Sequence, residues 1–210
     1  LSPPPPPEGR AWRRAPDGVA KAGREGPTHP QGPVPTYPLP EWVYDDAALK
    51  RAAKWLRQLH DATVGYTDPD PHWRSAPRKP AEVICHNDFA PYNMVFRDHE
   101  LVGVIDWDFA APGPRLWDLG YLCYRMVPLM RPSNPDAPDL PIDLSARLEL
   151  ALRAYGSDAT VPQLLEVIVE RLEDLASFTH SHGLARKNDK LLLDAENYSK
   201  DAAFLGGLLR

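Results

Sequence analysis

The stretch Val83-Ile84-Cys85-His86-Asn87-Asp88-Phe89-Ala90-Pro91-Tyr92-Asn93, with Val102-Gly103-Val104-Ile105-Asp106-Trp107-Asp108 just beyond it, decides the reading of this chain. Four polar residues, His86, Asn87, Asp88 and Asn93, interrupt two apolar runs, and Pro91 keeps the bend between them from becoming helix or ladder. Residues 94–97 run outward, Asp98 and His99 sit at a turn, and residues 100–105 run back. Asn93 and Asp106 thus fall at the same open end of a two-stranded ribbon. With strands about 4.8 Å apart and a rise of roughly 3.3 Å per residue, both side chains are able to approach one ion. An amide and a carboxylate are hard oxygen donors of the kind Mg²⁺ prefers, and neither supplies the nitrogen or sulfur expected of a zinc site. Magnesium commonly completes so small a shell with water and substrate phosphates, so the pair points to a nucleotide. Asp88, five residues before Asn93, is then placed to orient an attacking hydroxyl and accept its proton.

On these residues the sequence resembles the aminoglycoside phosphotransferase and choline kinase superfamily, the small-molecule branch of the protein-kinase-like fold. Residues 86–93 look like its His-x-Asp-x-x-x-x-Asn catalytic loop, and Ile105-Asp106-Trp107-Asp108 looks like the segment that replaces Asp-Phe-Gly of protein kinases. The resemblance implies that Asp88 is the catalytic base, that His86 braces the loop, and that Asn93 and Asp106 are Mg²⁺ ligands that hold the nucleotide. Asp108 is open between a third ligand, an outer residue and a loop carboxylate. Ala90 stands where protein kinases place a lysine, which argues for a small-molecule acceptor. Leu59-His60 resembles the end of the helix preceding the loop, and Asp118 in Arg115-Leu116-Trp117-Asp118 resembles the aspartate that hydrogen-bonds the loop backbone. The match covers residues 38–210 and is strongest over 82–122.

Outward from this core, an Asp45 cap followed by Leu49, Ala52, Ala53, Leu56, Leu59 and His60 predicts an amphipathic helix. Further helices are expected over residues 115–130, 144–155 and 161–182, the last capped by Thr160 and ended by Gly183, with a final one from Asn188. Extended runs are expected at 82–85, 94–97 and 101–105. The expected class is therefore α+β, the predominantly helical C-terminal lobe of a kinase-like fold with a short catalytic β-hairpin.

Residues 1–37 read as a disordered tail, because about half of the 25 prolines precede Glu41 together with five glycines. The N-terminal lobe that covers ATP in complete kinases has no counterpart there: Lys21 sits among Pro and Gly with no strand context. Little or no turnover by the 210-residue chain alone is the expectation.

Composition narrows the alternatives. A formal net charge of −5, from 24 basic and 29 acidic residues, gives no electrostatic reason to bind nucleic acid. No apolar run approaches the roughly 18 residues of a membrane span, and two cysteines make no disulfide framework, so a cytoplasmic setting is expected. The implied reaction is transfer of the ATP γ-phosphoryl group to a small-molecule hydroxyl, with GTP not excluded and the acceptor unread. Two other classes remain: a non-catalytic remnant that binds a small molecule or protein, and a metal-dependent phosphohydrolase using Asp88, Asp106 and Asp108. Structural roles are expected for His60, Cys85, Trp107 and Trp117, and solvent exposure for His180, His182, Asp136, Asp139 and Asp143.

Overall fold

A computed structural model describes residues 32–66 and 72–209. Helix α1 (Asp46–Ala62) follows a single 3₁₀ turn (Glu41–Tyr44), and its Leu49, Ala52, Ala53, Leu56, Leu59 and His60 are all buried, as their three- and four-residue spacing requires. Four short strands come next: β1 (Val83–Cys85), β2 (Met94–Arg97), β3 (Glu100–Val104) and β4 (Ala111–Gly113). The rest is helical, with α2 (Arg115–Met126), α3 (Leu144–Tyr155), α4 (Val161–Arg186) and α5 (Asp189–Leu208). The class is α+β with helices dominant, as the kinase-like reading requires.

The expected ribbon is present: β2 and β3 pair antiparallel with Met94 opposite Val104, and a bulge falls between Val95 and Phe96. Asp98 and His99 both adopt positive φ, 50° and 61°, the pairing of a two-residue hairpin turn whose twist matches the strands. The first extended run does not join this ribbon. Strand β1 pairs instead with β4, placing Cys85 opposite Ala111. Strand β4 carries Pro112 and has no alternating pattern, so only the long-range partner reveals it.

Two helix ends differ from expectation. Helix α2 stops at Met126 rather than residue 130, because Pro128 supplies no N–H to continue the ladder and the Tyr124 carbonyl accepts from Leu129 N–H (3.1 Å) instead. Helix α4 runs through Gly183 to Arg186, and Lys187, at φ 51°, takes the left-handed capping role. Gly183 serves packing instead: a Cβ there would lie 2.7 Å from Leu192 Cδ2 and 3.2 Å from the Leu192 backbone nitrogen, where α5 crosses. Gly183→Ala is therefore expected to lower stability by about 1–2 kcal/mol despite alanine's better helix propensity, with Leu192→Ala in the same chain recovering part of the loss. Urea unfolding of both variants checks this.

The core lies between α1, α2, α3 and the hairpin, with Leu49, Leu56, Phe89, Phe96, Leu119 and Leu122 fully buried. Asp201 on α5, itself buried, accepts from Tyr124 (2.6 Å), Arg131 (2.6 Å) and Asn134 (2.6 Å), which fastens the last helix to the end of α2. Of the proline-rich tail, residues 1–31 lie outside the described residues. Residues 32–37 are seated on the lobe: the Pro33 carbonyl accepts from Phe96 N–H (3.0 Å), and Tyr37 accepts from Arg125 (3.1 Å). An extended proline segment keeps its carbonyls free, so it can lie along a strand as an acceptor only.

Candidate active site

The loop between β1 and β2 is held from below by Asp118. This fully buried carboxylate accepts from the backbone N–H of His86 (2.5 Å) and of Asn87 (2.8 Å), and from His60 Nε2 (3.2 Å). Asn87 sits at φ 64°, a left-handed conformation that asparagine tolerates, so the chain turns sharply while both N–H groups face one carboxylate. Burial alone would raise the Asp118 pKa, but the hydrogen bond and charge of His60, with His86, outweigh it and hold the group below the ordinary carboxylate value. His60 has the expected structural part, though its partners are side chains: Asp118 on one ring nitrogen and the Tyr155 hydroxyl (2.7 Å) on the other.

His86 joins the two halves of the site. Its Nε2 meets the Ile105 carbonyl (2.9 Å) and its Nδ1 accepts from Asp88 N–H (3.2 Å), so both ring nitrogens are committed to backbone. The backbone of Asp88 and that just before Asp106 are thereby tied to one buried imidazole. Ile105 N–H donates to the Asn93 carbonyl (2.9 Å), which brings the backbone of Asn93 beside that of the residue preceding Asp106 at the ribbon's open end. Asp106 is exposed and adopts φ 60°.

Asp88 itself is half-buried and braced on both oxygens. Tyr92 donates to Oδ1 (2.7 Å), and Asn93 Nδ2 donates to Oδ2 (2.8 Å) and to the Asp88 carbonyl (2.9 Å). With its nitrogen committed to Asp88, Asn93 has its amide oxygen left for a cation, so the pair Asn93 and Asp106 fits the hard-oxygen donor set of Mg²⁺. The Asp108 carboxylate, also exposed, is engaged by Arg74.

Behind Asp88 runs a chain of hydroxyls that the sequence did not reveal. Tyr92 meets the Tyr121 hydroxyl (2.7 Å), which accepts from Arg125 Nε (3.2 Å) and Nη2 (3.1 Å). Arg125 is buried, and its other hydrogen bonds go to Tyr37 and Tyr198 (2.6 Å), while its nearest carboxylate, Asp136, is 3.9 Å away. Burial pulls the guanidinium pKa down, yet the surrounding tyrosines leave it well above its ordinary value. The Tyr92 and Tyr121 phenols are raised by burial. The chain therefore joins a permanent cation to Asp88 through neutral hydroxyls, each polarising the next. A charged residue inside the apolar run Leu122-Cys123-Tyr124-Arg125-Met126 was the available signal, since a buried charge must find partners.

In front of Asp88 opens a cleft of about 550 Å³, walled by α4 and α5 and by Trp117, Tyr121 and Phe109. Trp117 is buried, while Trp107 is half-buried with its ring 4.6 Å from that of His86. His180 is exposed and His182 half-buried against Phe178, and Asp143 caps α3 through Ala146 N–H (3.0 Å). Cys85 and Cys123 are buried free thiols whose pKa burial pushes up, so neither is a ready nucleophile. His60, Cys85 and Asp118 place ligand atoms within 4.8 Å of one another. The hydrogen bonds above already use both His60 nitrogens and both Asp118 oxygens, which leaves no metal site there.

Comparison with known proteins agrees with this geometry. The phosphotransferase enzyme family model matches residues 20–139. A trifolitoxin immunity protein from Rhizobium leguminosarum bv. trifolii is 28% identical over 174 residues, covering 76% of this chain and 57% of the relative. The chain thus spans little more than half the length of that relative. Among solved structures, an aminoglycoside phosphotransferase, provisionally so named, from Ralstonia eutropha JMP134 superposes with TM-score 0.57 at 16% identity, covering 85% of this chain and 70% of the other. A gentamicin complex of APH(2″)-IIa superposes with TM-score 0.52 at 16% identity, over 86% and 73%. These structural likenesses show the fold, and the family model shows the kinship: the chain belongs to the phosphotransferase enzyme family of the aminoglycoside phosphotransferase type.

Proposed function

We propose that this chain carries the catalytic lobe of an ATP-dependent kinase that transfers the γ-phosphoryl group to a hydroxyl of a small molecule. The observation that carries the reading is Asp88, braced on both carboxylate oxygens by Tyr92 and Asn93 and lining the cleft. Phosphoryl transfer asks little covalent chemistry of the protein; positioning and charge neutralisation do most of the work. Asp88 would orient the acceptor hydroxyl and take its proton as the oxygen attacks phosphorus. Asn93 and Asp106 would hold Mg²⁺, which when bound neutralises phosphate charge. We leave Asp108 out of the ligand pair because Arg74 engages it. His86 keeps Asp88 and Asp106 at fixed separation through its two ring nitrogens. The relative named for immunity to trifolitoxin fits a role in which phosphorylation of a hydroxyl disables a toxic compound. The reading carries a cytoplasmic setting, in keeping with two free thiols; among the described residues no helix is long and apolar enough to cross a membrane.

Calorimetric titration of ATP into the chain with and without Mg²⁺ tests the assignment. Binding is expected to require Mg²⁺ and to weaken at least tenfold in Asp106→Ala and in Asn93→Ala. Nucleotide binding indifferent to both substitutions would remove these residues from the site.

A further inference from the structure

We propose that the cleft beside Asp88 takes a hydroxyl acceptor that also carries a carboxylate, held by Arg171 and Arg78 where both meet Trp117. The proposal rests on the reading of Asp88 as the base and names the class of acceptor.

Arg171, on α4, is 5% exposed and lines the cleft. One guanidinium nitrogen donates to the Asn87 carbonyl (2.6 Å), but Nε is buried without a partner, and no carboxylate among the described residues pairs with it. Its guanidinium carbon stands 5.2 Å from the Trp117 ring centre and 4.8 Å from that of Tyr121. Arg78 stacks on the same indole at 3.7 Å, and its one ion pair, to Asp174 (2.6 Å), is half-exposed. Two guanidinium groups therefore meet one indole, and only Arg78 has a carboxylate partner. A buried cation lacking an anion is unfavourable, and planar arginine forks match a carboxylate by paired hydrogen bonds.

The position sets the ligand's size. Arg171 grips the carbonyl of the residue directly before Asp88, so a carboxylate at the guanidinium and a hydroxyl at Asp88 are separated by a few bonds. Phe109 and Phe178, edge to face at 5.6 Å, offer an apolar wall for the rest of the molecule. A polycation is poorly served. Three arginines balance three aspartates along the cleft, Asp174 is taken by Arg78, and Asp194 lies 3.9 Å from Lys190, leaving Asp88 alone.

The test is binding of a matched pair, N-benzoyl-L-serine and N-benzoyl-L-serinamide, to the 210-residue chain by calorimetry, with gentamicin and Mg·ATP as further probes. The acid is expected to bind at least tenfold more tightly than the amide, and gentamicin more weakly than either. Arg171→Gln, its fold checked by circular dichroism, brings acid and amide within about twofold. Arg78→Gln, at a half-exposed position that spares the core, narrows the preference at least threefold. Equal affinity for acid and amide in the unmodified chain overturns the proposal. So does tighter binding of gentamicin, or no binding of the acid at millimolar concentration. Displacement of the acid by Mg·ATP also overturns it, because the anion site would then belong to the nucleotide. Since binding is read without turnover, a retained acid preference in a protein that transfers no phosphate leaves this site standing and removes only the kinase reading.

Discussion

Asp88→Asn is expected to lower phosphoryl transfer by about 10²–10⁴-fold, the range a positioned general base contributes, while Mg·ATP affinity changes little. The substitution is close to isosteric, and the surroundings accept it: the amide oxygen can face Asn93 Nδ2, and the amide nitrogen can face Tyr92, whose hydroxyl can rotate to accept. The fold and the Asn93–Asp106 pair are therefore preserved, and what disappears is the oxygen that takes the hydroxyl proton. Steady-state kinetics on any form of the protein that turns over, paired with nucleotide calorimetry, separates the two effects. Transfer retained within tenfold would mean that Asp88 does not serve as the base, whatever holds the nucleotide.

The second large effect is on stability. Asp118→Ala is expected to cost roughly 3–5 kcal/mol, because it strands His60 and the N–H of His86 in the interior and takes its partner from the half-buried N–H of Asn87. In a folded unit of this size that corresponds to a fall in Tm of roughly 10 °C. The effect should depend on pH, and its sign follows from the depressed pKa of Asp118. A carboxyl that titrates lower in the folded state contributes its full stability above the unfolded pKa of about 3.9 and loses it as pH falls through the folded value. The stability gap between the unmodified chain and Asp118→Ala should therefore be widest from neutral pH down to about 5 and narrow steadily below 4. Urea unfolding at a series of pH values measures it. A gap that is small, or constant down to pH 3, would show that this carboxylate does not carry the loop.

What could be read from the chain was local or stereotyped. The hairpin was legible because Asp98 and His99 tolerate the positive φ of its turn, and the runs on either side are rich in strand-favouring residues such as Val95, Phe96, Val102 and Val104. Helix α1 was legible from its period and α3 from a matching span. For α4 Thr160 as cap and Pro162 in the first turn marked the start, and the structure adds Gln163 as the reciprocal member of a capping box. Asp88, Asn93 and Asp106 stood out because polar side chains at strand ends need a purpose. The cluster's support was less visible. Asp118 and His60 were noticed through resemblance, but their convergence beneath His86 joins residues 58 positions apart.

The amino-acid sequence by itself determined where the polar groups fall: a carboxylate, an amide and a second carboxylate at the mouth of a β-ribbon, with helices around them. Only the tertiary structure decided that β1 pairs with β4, that Gly183 admits α5 rather than ending α4, and that Asp108 meets Arg74. It also decided that Arg125 reaches Asp88 through two tyrosines and that Arg171 and Arg78 share Trp117. The physical reason is one of range. Turn, cap and period preferences act over a few residues, whereas a buried guanidinium is satisfied by whichever oxygens or ring faces distant segments bring to it, and no pattern of neighbours along the chain encodes that meeting.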